Sequence, residues 1–154
     1  MLAMILVLMD TAWAIYVESS LQYAVRVGVR IGVTITAAQT PKGSCLTDMV
    51  KSTVQQNSFG LLSGASNLAL IKVNYFQPPA ANSNGAVTDV STQANGNAPG
   101  NIMQVSVQNY SLAALMPRIF DWKHSPDRSA LVMNVYAADR IEPSRNPPCI
   151  GTAP

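Results

Sequence analysis

Soft metal ligands are scarce in this chain: its 154 residues include one histidine, His124, and two cysteines, Cys45 and Cys149. A lone histidine excludes a histidine-cluster metal centre, and cysteines this far apart lack the paired spacing of a zinc site. Charge is scarce as well, at 12% of residues, about half the usual share for soluble domains. The net charge is +2 and the basic residues are scattered, apart from Arg26 and Arg30, so nothing resembles a nucleic-acid footprint. The glycines Gly28, Gly32 and Gly43 form no phosphate-cradling loop. His124 sits beside Ser125-Pro126 and reads as turn material. Asp89, Asp121, Asp127 and Asp139 lie in or beside loops, where a weak calcium site is the only metal chemistry on offer. The expectation is a chain that is not an enzyme and needs no cofactor.

Proline is missing as far as Pro41, so nothing breaks a helix before that point. What fills this stretch is apolar. Residues 1–9 are unbroken hydrophobic sequence, Asp10 interrupts, and Trp13, Ile15, Tyr16 and Val17 resume it. An amphipathic run from Leu21 to Val33 follows. The reading is one long helix over residues 1–38, whose half at 1–17 sits in a bilayer or an apolar bundle. That half spans roughly 25 Å at the helical rise, slightly short of a hydrocarbon core of about 30 Å. No Lys or Arg precedes it, although a cytoplasmic flank is usually basic. Both features point to a natural chain that begins further upstream, or to a removed leader. A cleavable signal peptide is the rival reading, because Ala12-Trp13-Ala14 mimics a cleavage site. Asp10 costs roughly 2.5–3.5 kcal/mol if it lies in lipid, so it calls for a partner or a position near the interface.

Ala24, Gly28 and Gly32 fall four apart and share one face of this helix. Such a stripe lets another backbone approach closely, either the chain's own sheet or a neighbouring helix. Arg26 and Arg30 share a different face.

Residues 39–154 read as one small α+β domain outside the cytoplasm. A short helix is expected over residues 45–58, capped by Ser44 or Thr47, with Leu46, Met49, Val50 and Val54 as its apolar edge. Strands are expected near 68–76, 102–110 and 130–138, from alternation such as Met103, Val105 and Val107 against Gln104, Ser106 and Gln108. Residues 80–100 are rich in Asn, Ser and Gly and read as an exposed hairpin loop, with a short strand within 86–90. Strands in series with no helix between them predict a small antiparallel sheet of three to four strands, covered by the long helix. Cys45 and Cys149 bracket the domain, and a disulfide between them is worth up to ~4.7 kcal/mol in the chain-entropy picture. It would place the domain in an oxidising compartment; two separate thiols are the alternative. Trp122 and Phe120, with Tyr110, form either a surface recognition patch or the cap of a small core.

The segment from Ala24 to Thr34, following an apolar helix with Asp10 and Tyr16, resembles the TadE/TadG family of pilin-like proteins. Arg26, Gly28 and Arg30 occupy positions of that family's signature, and the last strand followed by Glu142-Pro143 is similar to its ending. The resemblance implies a pilin-like fold and a pseudopilin, minor or major pilin of a tight-adherence (Flp) pilus. Its partners would be other pilin subunits, joined through the N-terminal helix, and the membrane before assembly. The family's processing glycine and its following glutamate have no counterpart here, which leaves peptidase processing undecided. The alternative function is a single-pass, membrane-anchored extracytoplasmic binding module using the 80–100 loop and the Trp122 region.

Overall fold

The computed structural model describes residues 2–40, 42–80, 85–112, 131–143 and 148–151. Helix α1 runs Leu2–Thr34, followed by a 3-10 turn at Ala37–Gln39; α2 is Leu46–Gln56 and α3 a single turn, Ala65–Leu68. The strands are β1 (Ile71–Gln77), β2 (Thr88–Asp89), β3 (Ile102–Leu112) and β4 (Leu131–Arg140). They form one antiparallel sheet in the order β2-β1-β3-β4. The arrangement is α+β, a long apolar helix packed on a small four-stranded antiparallel sheet.

Period-two alternation decides which face of the sheet is covered. Ile71 pairs with Val107 and Val107 with Val135; Val73 pairs with Val105 and Val105 with Ala137. These residues, with Tyr75 and Met103, turn inward and are buried or nearly so. Onto them α1 lays Val17, Leu21, Val25, Val29 and Val33, all buried. Each is worth about 1.5–3 kcal/mol when fully removed from water, which is enough to fix the helix on the sheet. The helix crosses β3 and β4, with α2 against its other flank.

Both ends of the packed assembly are closed by non-local bonds. The Val33 carbonyl near the end of α1 accepts from the Glu142 amide just beyond β4, at 3.2 Å. The N-terminus of α2 has no side-chain cap: Cys45 takes the cap position, not Ser44 or Thr47. Instead the Leu46 and Thr47 amides donate to the carbonyls of Cys149 and Ile150, at 2.7 and 3.1 Å. The C-terminal tail thus satisfies two of the donors that a helix start leaves open. The Cys45–Cys149 disulfide, across a separation of 104 residues, holds that tail in place.

Some boundaries differ from the sequence expectation. The first strand begins at Ile71 because the Ala65–Leu68 turn, started by the Leu68 amide bonding to the Gly64 carbonyl, occupies its expected beginning. The 80–100 region is not simply an exposed loop. Its second half folds back: Val90, Ser91 and Asn97 are buried, and the Asn97 amide donates to the Pro148 carbonyl at 2.6 Å. Gly96 is needed there, since a Cβ would strike the Val90 carbonyl oxygen and the Ile150 side chain.

Candidate functional site: the uncovered half of the first helix

Helix α1 is about 50 Å long at 1.5 Å per residue, yet the domain covers only its second half. From Met4 onward, Val17 is the first buried residue along it. Before that point Met4 is 73% exposed, Leu8 67% and Ile15 59%, and Ile5, Val7, Met9, Trp13 and Tyr16 are exposed too. Trp13 and Tyr16 stack on each other with ring centroids 5.5 Å apart. A water-facing helix with apolar residues on every side is not a soluble surface. By length and composition, the stretch Met4–Thr34 is able to cross a membrane.

The small-residue stripe lies elsewhere. Ala24, Gly28 and Gly32 are buried inside the chain's own packing. A Cβ on Gly28 would come within 2.5 Å of Val54 Cγ2, and one on Gly32 within 2.6 Å of Met103 Sδ and 2.8 Å of Val50 Cγ2. The stripe therefore seats α2 and β3. Of the two partners that the spacing left open, the domain's own elements stand against the stripe.

The charged residues fall on either side of the boundary. Asp10 is half-buried on the uncovered half; Arg26 and Arg30 are exposed on the covered half, facing away from the sheet. Along one helix Asp10 and Arg26 stand about 24 Å apart, and Asp10 and Arg30 about 30 Å. No pair among them forms within one copy. Cys45 and Cys149 are joined, as the count of cysteines led one to expect. Trp122, Phe120, His124, Asp121 and Asp127 lie outside the described residues. Among the described residues, no group of three or more His, Cys, Asp or Glu gathers to hold a metal.

Two polar arrangements went unread in the sequence. The Tyr75 hydroxyl is buried against Thr47 Oγ1 at 3.2 Å, and burial pushes its phenol up to about 12 despite that hydrogen bond. The Thr47 hydroxyl also donates to the Ile150 carbonyl, so core, helix start and tail meet at one side chain. In the folded-back loop, Ser91 donates both its amide (2.9 Å) and its hydroxyl (2.6 Å) to Asp89 Oδ1, which holds that carboxyl below its usual range. The Ser91 hydroxyl oxygen in turn accepts the Tyr75 amide at 2.8 Å. On the outer sheet face, Gln104, Ser106, Gln108, Asn109, Asn134 and Tyr136 line an open concavity of about 340 Å³. It lies beside the β3 irregularity between Val107 and Tyr110.

No protein-family model matches the chain, no curated protein matches it, and no solved structure matches it.

Proposed function

We propose that this chain is a structural, pilin-like subunit of a tight-adherence type pilus. It is held in a membrane by α1 before assembly and joined to other pilin subunits through α1 afterwards, with its β domain outside the cytoplasm. The observation that carries the reading is the uncovered apolar half of α1 projecting from a domain that locks the other half. Residues 4–16 need an apolar environment that the domain does not provide. The disulfide supports an oxidising compartment, and so an extracytoplasmic domain in the cell envelope.

Asp10 costs roughly 2.5–3.5 kcal/mol in a bilayer, and a bundle of copies offers its carboxylate a neighbour of opposite charge. A neighbour displaced by about 24 or 30 Å along the axis sets its Arg26 or Arg30 beside Asp10. Asp10→Ala is expected to weaken association between full-length chains about tenfold or more, measured by cross-linking in detergent, with domain unfolding unchanged. Unaltered association would remove the charge-register element.

A second reading has its own observation. The outer-face concavity, with neutral amides and a Tyr136 that is 74% exposed, suits a membrane-anchored extracytoplasmic binding module. A chain that stays monomeric with α1 intact, yet binds a glycan or protein through this face, favours the module over the pilin.

A further inference from the structure

The turn between α2 and α3 presents an aromatic side chain at a conformational cost. The Leu61 amide donates to the Ser58 carbonyl at 3.0 Å, and the two residues between them, Phe59 and Gly60, have φ of 52° and 84°. Positive φ at both central positions is the pattern of a type I′ turn, where Asn-Gly is the usual pair. Glycine adopts it freely; a bulky residue such as phenylalanine does not. The turn is nevertheless well held. Ser58 Oγ donates to the Gln55 carbonyl at 2.7 Å and accepts the Leu62 amide at 3.1 Å, and Gln55 Nε2 donates to the Leu62 and Gly64 carbonyls. Ser58 and Leu62 are fully buried, while Phe59 between them is 66% exposed. The fold strains the backbone and points the ring outward, a combination that marks a surface with a use.

Its neighbour fixes where along the molecule that surface lies. The Phe59 ring sits 6.0 Å from that of Tyr23, itself half exposed. Tyr16 and Tyr23 are seven residues apart and so share a face of α1, which Arg26 and Arg30 continue; all four are exposed. Along this face the order is exposed aliphatics to residue 12, the Trp13–Tyr16 stack, the Tyr23–Phe59 pair, then two guanidinium groups. That is the order of a bilayer leaflet: hydrocarbon, amphipathic aromatic belt, anionic phosphates. Tyr23 stands about 10 Å along the helix from Tyr16. With the stack at the hydrocarbon edge, a helix tilt of about 40° brings the pair to about 8 Å above that edge, at the outer part of a headgroup layer roughly 5–8 Å deep.

We propose that Phe59 and Tyr23 form a second membrane contact, a wedge seated among anionic phospholipid headgroups that fixes the height and tilt of the domain. The proposal rests on the bilayer seat of α1 before assembly. It adds a contact from a loop that no reading of α1 alone contains. Arg26, one turn beyond Tyr23, faces the phosphates from above.

The test uses the full chain in vesicles of phosphatidylcholine and phosphatidylglycerol whose acyl chains are brominated near the headgroup. One variant, Trp122→Phe, leaves Trp13 as the only indole; a second combines Trp13→Phe, Trp122→Phe and Phe59→Trp. Both indoles are expected to lose at least about half their emission on reconstitution. Quenching of Trp13 without quenching of the indole introduced at position 59 overturns the wedge and leaves the membrane seat of α1 standing. Quenching of neither overturns both. A contact with a second copy in place of lipid gives the first of these results, together with copy-to-copy cross-links from position 59. Phe59→Gly is an independent check. Relief of the turn is expected to raise the unfolding midpoint by about 2–4 °C while Tyr23 becomes more accessible to labelling in vesicles. A midpoint that falls by several degrees marks Phe59 as a packing residue and overturns the proposal.

Discussion

The two halves of α1 differ in apolar pattern and have opposite surroundings: Asp10 is the one charge in residues 4–16, whereas residues 17–33 are amphipathic, with Glu18, Arg26 and Arg30 exposed. Residues 4–16 carry mostly large apolar side chains that stay exposed, with Ala14 alone packed at the edge of the domain core. Residues 17–33 set Val17, Leu21, Ala24, Gly28 and Gly32 along one face, and that face disappears under α2 and β3. The packed half is apolar along one face alone, and that face is thinned by Ala24, Gly28 and Gly32 where backbones must approach. The bulky half leaves its apolar side chains exposed, and under the proposed function lipid tails or the helices of other subunits cover them.

This comparison can be broken first by matched truncations. Leu21→Ala, inside the packed half, is expected to cost about 2–5 kcal/mol of domain stability. Leu8→Ala, a like change in the uncovered half, is expected to stay within about 0.5 kcal/mol; denaturant unfolding in mild detergent measures both. Equal costs would mean that the domain covers residues 4–16 after all.

Next in size is the tail. Replacing Cys45 and Cys149 together by serine is expected to cost about 2–4 kcal/mol. It also frees the carbonyls that cap α2, so the Leu46 and Thr47 amides should exchange with deuterium faster than the amides of β3. Gly28→Ala sharpens the comparison from the other side. The added methyl gains helix propensity of about 1 kcal/mol but meets Val54 at 2.5 Å, an overpacking cost of typically 1–3 kcal/mol. A net loss of around 1 kcal/mol is expected, whereas Ala12→Gly in the uncovered half shows only the propensity term.

The smallest effect at ordinary pH lies at Tyr75. Its phenol titrates near 12 when folded and near 10 when unfolded, so the folded state holds the proton more tightly. Stability is therefore whole below pH 10 and declines as the pH rises from 10 to 12, by roughly 2–3 kcal/mol in all. Tyr75→Phe should flatten that decline, at the cost of leaving Thr47 with one hydrogen-bond partner fewer.

The long helix was legible because no proline stands before Pro41, and the strands because their alternation is clean. The disulfide was legible because the chain holds two cysteines and no more. The glycine stripe was legible as a close approach, but spacing carries no information about who approaches, and the partner proved to be α2 and β3. The cap of α2 was not legible at all. It comes from carbonyls of Cys149 and Ile150, about a hundred residues away, and backbone acceptors leave no trace in side-chain identity. Nor was the burial of Ser91 and Asn97 within a polar, loop-like stretch, since each is paid for by a specific tertiary hydrogen bond. Nor was the positive φ at Phe59 legible; an aromatic followed by a glycine was the available signal.

The central claim is that residues 4–16 of α1 are covered by the first helix of other subunits. A photo-activated benzophenone side chain placed at Leu8 tests it most directly, in full-length protein assembled into oligomers. The account predicts covalent dimers joined from position 8 to the neighbour's α1 about 16–20 residues further along, as a displacement of about 24–30 Å requires, and the loss of those dimers with Asp10→Ala. Adducts to lipid alone, at densities where the chains are in contact, would contradict it.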